Sequence, residues 1–205
     1  MSGSTLTKGR ERATAFAPAS VGNVGIGFDI LGFAVDALGD RITVSRTREP
    51  GIRITGCSGV ATDLPLEPEK NTAGRALMAL NVATRPGFGF EMQIEKGIPL
   101  GSGLGGSAAS AVGAVVAANA LLDEPFDRLA LLKFAMQGEA VASGSMHVDN
   151  IAPSLFGGLV LTVGIDHPRV KRIPVPPGIT AVIAHPHMFL SHPRATSTRC
   201  HARFI

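Results

Sequence analysis

The sequence predicts an α+β fold, and three observations carry that expectation. Segments with strand-like alternation cluster in the first half of the chain, and longer apolar segments of helical length follow them. The regular alternation that marks a parallel doubly wound sheet is missing, which favours mixed layers. Hydrophobic residues make up 45% of the 205 residues and charged residues 17%. That suffices for a sizeable core and is too apolar for a disordered chain.

The elements follow in order. Residues 12–17 and 41–46 read as short strands, the second through the alternation of "RITVS". "GIRITG" at 51–56 alternates in the same way, and "NTAGRALMALNVA" at 71–83 has the spacing of an amphipathic helix. In "FGFEMQIEKGIPLG" the residues Phe88, Phe90, Met92 and Ile94 share one face of a strand. Ser107 to Leu122 is rich in Ala and Val on most sides, as in a helix buried within a core. "DRLALLKFAMQGEAVASG" opens on Asp127 as an N-cap and continues as a second long helix. "GGLVLTVG" and "ITAVIAHP" read as later strands.

Composition narrows the function classes. The net charge is +3, and much of the excess sits in Arg194, Arg199 and Arg203. No basic face is interleaved with aromatics and the chain has no Trp or Tyr, so no nucleic-acid partner is expected. "MSGSTLTKGRER" lacks an apolar signal core, and no apolar run is long enough to predict a membrane span. Cys57 and Cys200 make no disulfide framework, which points to a reducing cytoplasm.

The chemistry concentrates in "GSGLGGSAAS", Gly101 to Ser110, a glycine-rich turn feeding a helix. Such turns bind phosphate through backbone N–H groups and the helix dipole. The Walker A pattern fails because Gly106 is followed by Ser107 with no lysine. Gly101, Gly103 and Gly106 match a dinucleotide fingerprint, but the connection "EKGIPL" is too long and Asp123 is poorly placed for the ribose. A dipole worth roughly half a charge is too little for a triphosphate. A divalent cation is therefore expected, held by a hydroxyl such as Ser107 and a carboxylate from another element. Glu139, late in the second long helix among small apolar residues, is the carboxylate candidate; a solvated surface glutamate is the plainer alternative.

Two further segments stand out. "HVDN", His147 to Asn150, places an imidazole, a carboxylate and an amide in what reads as a loop beside "IAPSLFGG". These suit substrate contacts, or an Asx turn. In "APASVGNVGIGFDILG", 17–32, Asn23, the glycines and Asp29 interrupt an apolar run. A buried or half-buried Asp29 would need a cationic partner such as a substrate ammonium, and a hairpin turn with a surface Asp is the alternative.

Together these motifs resemble the homoserine kinase branch of the GHMP kinase superfamily, from about Ala15 to about Phe189. "IPLGSGLGGSAAS" is similar to the superfamily's phosphate loop, with Gly106 in place of one family serine. "APAS-x-x-N-x-G-x-GFD-x-LG" and "GS-x-H-x-DN-x-AP-x-x-x-GG" are similar to the branch's own motifs. The resemblance implies a two-layer N-terminal ATP-binding domain with a left-handed βαβ unit over 1–165. It implies the start of a ferredoxin-like C-terminal domain over 166–205. It implies transfer of the ATP γ-phosphoryl group to the side-chain hydroxyl of L-homoserine, a step of threonine biosynthesis, in the cytoplasm and in a possible homodimer.

The resemblance also assigns residues. Pro99, Leu100, Gly101, Ser102, Gly103, Leu104, Gly105, Gly106, Ser107, Ala108 and Ala109 fall on the nucleotide phosphate loop. Ser107 and Glu139 fall on the Mg²⁺ positions, and Asn71 falls where the family contacts the nucleotide. Asn23, Asp29, His147, Asp149 and Asn150 fall on the amino-acid pocket, with Asp149 and Asn150 nearest the reacting hydroxyl. A lysine that assists some relatives has no counterpart in "ASVGN".

Two other functions stay open on the same residues: a non-catalytic nucleotide-binding relative, and a sugar- or mevalonate-type kinase. After "HPHMFLS" the sequence leaves the family pattern. From about His192 onward Arg, His, Ser and Thr replace apolar periodicity, as in a frayed terminus or a misread frame. The expectation is a C-terminally truncated chain that turns nothing over.

Overall fold

The computed structural model describes residues 10–143, 148–164 and 166–184. Among these residues the strands are β1 (Arg12–Val21), β2 (Leu31–Thr47), β3 (Ile52–Gly59), β4 (Gly89–Lys96), β5 (Leu159–Val163) and β6 (Arg169–Ile173). The α-helices are α1 (Thr72–Thr84), α2 (Gly106–Asn119), α3 (Arg128–Ser143) and α4 (Val148–Phe156), and a 3-10 turn covers Pro68–Lys70. The α+β expectation holds. Helices pack on one face of one sheet, whose order is β3-β4-β2-β5-β6 with β1 paired to β2.

The long strand β2 organises the sheet. One edge takes β1 antiparallel, from Arg12 opposite Ser45 to Val21 opposite Phe33. Its other edge takes β4 along Arg41–Thr47 and β5 at Leu31–Phe33. A register shift at Pro18/Ala19 lets three residues of β2, Asp36 to Leu38, loop outward. Pro18 has no N–H to give a ladder, so a bulge is where it fits. β1 and β2 run well beyond the expected 12–17 and 41–46. Proline, glycines and Asp36 hide their alternation, and pairing along both edges of β2 restores what local propensity lacks.

β3 and β4 are parallel and joined through α1. Inward residues of β2 and β4, among them Ile42, Val44, Phe90, Met92 and Ile94, meet α2, which touches both strands and β1. α2 is buried nearly all round, as its Ala and Val content predicts. Asp127 Oδ1 accepts from the Ala130 N–H at 2.8 Å and caps α3 as expected.

Two expectations change. α4 occupies a stretch read as loop. Its buried Val148, Ile151, Ala152 and Leu155 have helical spacing, but Pro153 within the helix hides the pattern. Residues 179–184 form no strand, and none of the described residues pairs with them. β6 pairs with β5 antiparallel, Leu159 opposite Ile173. The tail from Ser191 lies outside the described residues.

Candidate active site

The phosphate-loop candidate leaves β4 at Lys96 and enters α2 at Gly106. Gly101, Gly103 and Gly105 have φ of 67°, 73° and 65°, left-handed values that L side chains rarely adopt. At Gly105 the requirement is doubled, because a Cβ there would come within 2.2 Å of Ser20 Oγ. The loop is pinned to β1, where the Ser20 N–H donates to Leu104 O at 3.0 Å. Ser102 Oγ accepts from the Leu104 N–H at 3.4 Å, which tightens the turn. No side chain caps α2. Its N-terminus is a helix end of the kind that binds anions. Ala108 and Ala109 are fully buried and offer only backbone, and Leu104 anchors the loop in the core. Leu100 stands exposed beside Pro99.

The Ser107 hydroxyl, on the first turn of α2, donates to Glu139 Oε1 at 2.8 Å. Glu139 projects from α3 and is buried, not a solvated surface residue. A hydroxyl beside a carboxylate is a hard-oxygen pair that suits Mg²⁺, which takes few protein ligands and completes its shell with phosphate and water.

The start of α4 lies against the same loop. The Ser20 hydroxyl donates to Asn150 Oδ1 at 3.1 Å, so one serine ties β1 to both the loop and α4. Asp149 is almost fully buried, and its Oδ2 accepts from the Asn23 N–H at 2.9 Å. That contact requires glycine at position 22, where a Cβ would sit 2.1 Å from Asp149 Oδ2. Asn23 Oδ1 in turn accepts from the Asp29 N–H at 3.0 Å. Asn23 and Asp29 both hold left-handed φ, 55° and 58°. Asp29 is exposed, which corrects the expectation of a buried or half-buried carboxylate: the turn points it outward. His147 lies outside the described residues.

Asn71 does local structural work. Its Oδ1 accepts from the Ala73 and Gly74 N–H groups at 3.0 and 3.3 Å, capping α1, and its Nδ2 donates to Pro65 O at 2.8 Å. The side chain holds the 65–71 segment against α1.

Sequence reasoning misses Lys96, Asp40, Ser110 and Ser20. The loop itself lacks a lysine, but Lys96 lies buried beneath it, ion-paired to Asp40. A signal is present: the inward alternation Phe90, Met92, Ile94 extends by one step to Lys96. Burial raises the Cys57 thiol above its ordinary pKa, and the Lys96 ammonium opposes that shift. Among the described residues no three His, Cys, Asp or Glu cluster together, and no helix is long and apolar enough to cross a membrane.

Known proteins align with these features. The GHMP kinases N terminal domain family matches residues 71–158. The chain is 50% identical over 184 residues to the homoserine kinase of Xylella fastidiosa strain M12, covering 90% of this chain and 56% of that protein. It is 51% identical over 188 residues to the homoserine kinase of Xanthomonas campestris pv. campestris strain B100, covering 92% and 58%. The crystal structure of homoserine kinase from Cytophaga hutchinsonii superposes with a TM-score of 0.83 at 41% identity, covering 93% of this chain and 60% of that one. The chain spans little more than half the length of the curated relatives it matches.

Proposed function

Since this chain carries a GHMP kinase N-terminal domain and is homologous to homoserine kinases, we propose that it serves ATP-dependent phosphorylation of L-homoserine to O-phospho-L-homoserine. The observation that carries this reading is the meeting of three features at one end of the sheet. These are an uncapped helix N-terminus behind a left-handed glycine loop, the Ser107–Glu139 pair, and the buried start of α4.

In this reading the backbone of 99–109 cradles the nucleotide phosphates, and the α2 dipole favours their charge. Ser107 and Glu139 hold Mg²⁺, which when bound neutralises charge on the transferring phosphoryl group. Asp149 and Asn150 orient the homoserine hydroxyl, and Asn23 and Asp29 border the amino-acid side. His147 completes that group by its place in the motif. Phosphoryl transfer is chiefly positioning and electrostatics, so Asp149 needs only to direct the hydroxyl and accept its proton late. The free thiol of Cys57 is in keeping with a reducing, cytoplasmic location.

The test is ADP release from Mg·ATP with homoserine, mevalonate or galactose in turn, beside a calorimetric titration of Mg·ATP. Release with homoserine alone supports the reading. Release with another acceptor but not homoserine overturns the substrate, and absence of nucleotide binding overturns the site. Binding without release by this chain, which spans little more than half the length of its relatives, favours a non-catalytic nucleotide-binding relative only if the full-length protein releases no ADP either.

A further inference from the structure

Lys96 and Asp40 are a fully desolvated charge pair with side-chain exposures of 2% and 0%. Their bonds reach both ends of the glycine loop. At the entrance, Asp40 Oδ1 accepts from the Gly97 and Ile98 N–H groups at 3.1 and 3.3 Å. At the exit, Lys96 Nζ donates to Gly106 O at 2.8 Å and to Ser110 Oγ at 2.9 Å, and the Ser110 hydroxyl donates to Asp40 Oδ2 at 2.8 Å. Gly106 and Ser110 lie at the N-terminal end of α2, so the network ties both sides of the loop to the central strand β2.

Stability alone does not account for this arrangement. Buried ion pairs are often neutral or worse for stability than apolar residues of like volume. A cation beside a helix N-terminus also opposes the helix dipole. What the pair supplies is fixed geometry. Lys96 Nζ and the two Asp40 oxygens are engaged by partners that define where 97–98 and 106–110 lie relative to β2.

We propose that Asp40 and Lys96 are positioning residues for nucleotide binding: a buried clasp that holds the phosphate loop in its binding shape before any ligand arrives. The proposal rests on reading 99–109 as the phosphate loop. The pair touches no substrate and acts through the backbone amides it holds in place.

The test uses this chain, its double variant Lys96→Met/Asp40→Asn, and Ser110→Ala. The double variant removes both charges together and keeps an Oδ1 acceptor for Gly97 and Ile98, so neither charge is left buried alone. Amide hydrogen exchange is followed without nucleotide, and Mg·ADP affinity is measured by calorimetry. The expected result is cooperative unfolding and unchanged exchange in α1 and α3. Exchange at Ser20 and Ala109, whose N–H groups donate to Leu104 O and Gly105 O of the loop, should be at least about tenfold faster and Mg·ADP binding roughly 10- to 100-fold weaker, the scale of a misplacement of about 1 Å. Ser110→Ala, which keeps the ion pair, should shift both readouts the same way by less. Unchanged exchange at Ser20 and Ala109 in the double variant overturns the clasp, and if that variant does not fold, unchanged exchange there in Ser110→Ala does. A parent chain that binds no Mg·ADP instead overturns the phosphate-loop reading, and the exchange data still decide the clasp.

Discussion

The Ser107 hydroxyl donates to Glu139 Oε1 at 2.8 Å across 32 residues of sequence, joining the first turn of α2 to the body of α3. If this pair holds the metal, Glu139→Gln should leave the unfolding transition in place and remove the Mg²⁺ dependence of nucleotide binding. In a full-length enzyme that contains this domain, the loss in Mg·ATP turnover should be at least ~100-fold, the scale of removing one main electrostatic stabiliser. Titration of ATP with and without Mg²⁺ measures it. A variant that keeps a tenth of the parent's Mg²⁺-dependent activity refutes the assignment.

Gly105→Ala should damage the loop twice. Left-handed φ costs an L residue about 1–2 kcal/mol, and the new methyl would collide with Ser20 Oγ, 2.2 Å from its ideal position. The urea midpoint should fall and Mg·ADP affinity should fall with it. Ser20→Gly in the same chain removes the collision partner and should restore part of the stability. No restoration would show that backbone strain alone is responsible.

Asn71→Ala should lower stability by about 1 kcal/mol, the usual cost of losing an N-cap. Asn71→Asp keeps a capping oxygen for Ala73 and Gly74 and gives up the bond to Pro65. If Asn71 acts by capping, the Asp variant should unfold near the parent's midpoint. Nucleotide affinity that falls equally in both variants, at unequal stabilities, would instead indicate direct contact with the nucleotide.

In a full-length enzyme that contains this domain, Asp29→Asn should raise the KM for homoserine more than that for ATP. Asp29 stands in solvent, so the effect should be that of an exposed ion pair, up to about 1 kcal/mol or roughly fivefold. Equal changes in both constants would exclude Asp29 as a partner of the substrate ammonium. KM values measured with each substrate varied in turn decide it.

Several features are legible in the amino-acid sequence. The inward Phe90, Met92 and Ile94 alternate at the period of a strand, and Asp127 precedes α3 as a cap should. The glycines of 101–105 mark a turn feeding a helix, and Gly101, Gly103 and Gly105 hold left-handed φ there. Ser107 and Glu139 stand out on chemical grounds as an oxygen pair, and the structure joins them by a hydrogen bond. α4 is hidden because Pro153 reads as a helix breaker, although Ile151, Ala152 and Leu155 keep the period. β2 reads as a short strand because Asp36 and Gly39 sit where its ladder bulges.

Local periodicity and motif spacing determined β3, β4, α1, α2 and α3, the glycine loop and the residue types of the site, since these depend on neighbours a few positions away. What surrounds those residues was decided only by tertiary structure. Burial of Asp149 depends on the turn at Gly22 folding over it, and exposure of Asp29 depends on the same turn pointing outward. The Lys96–Asp40 pair joins positions 56 residues apart, one on β4 and one on β2. No local pattern specifies such a partner. The register that sets Arg41 opposite Glu95 and Ile42 opposite Ile94 brings the adjoining Asp40 and Lys96 together beneath the loop. There, away from water, a lone charge would be too costly to keep, and each of the two is held by the other.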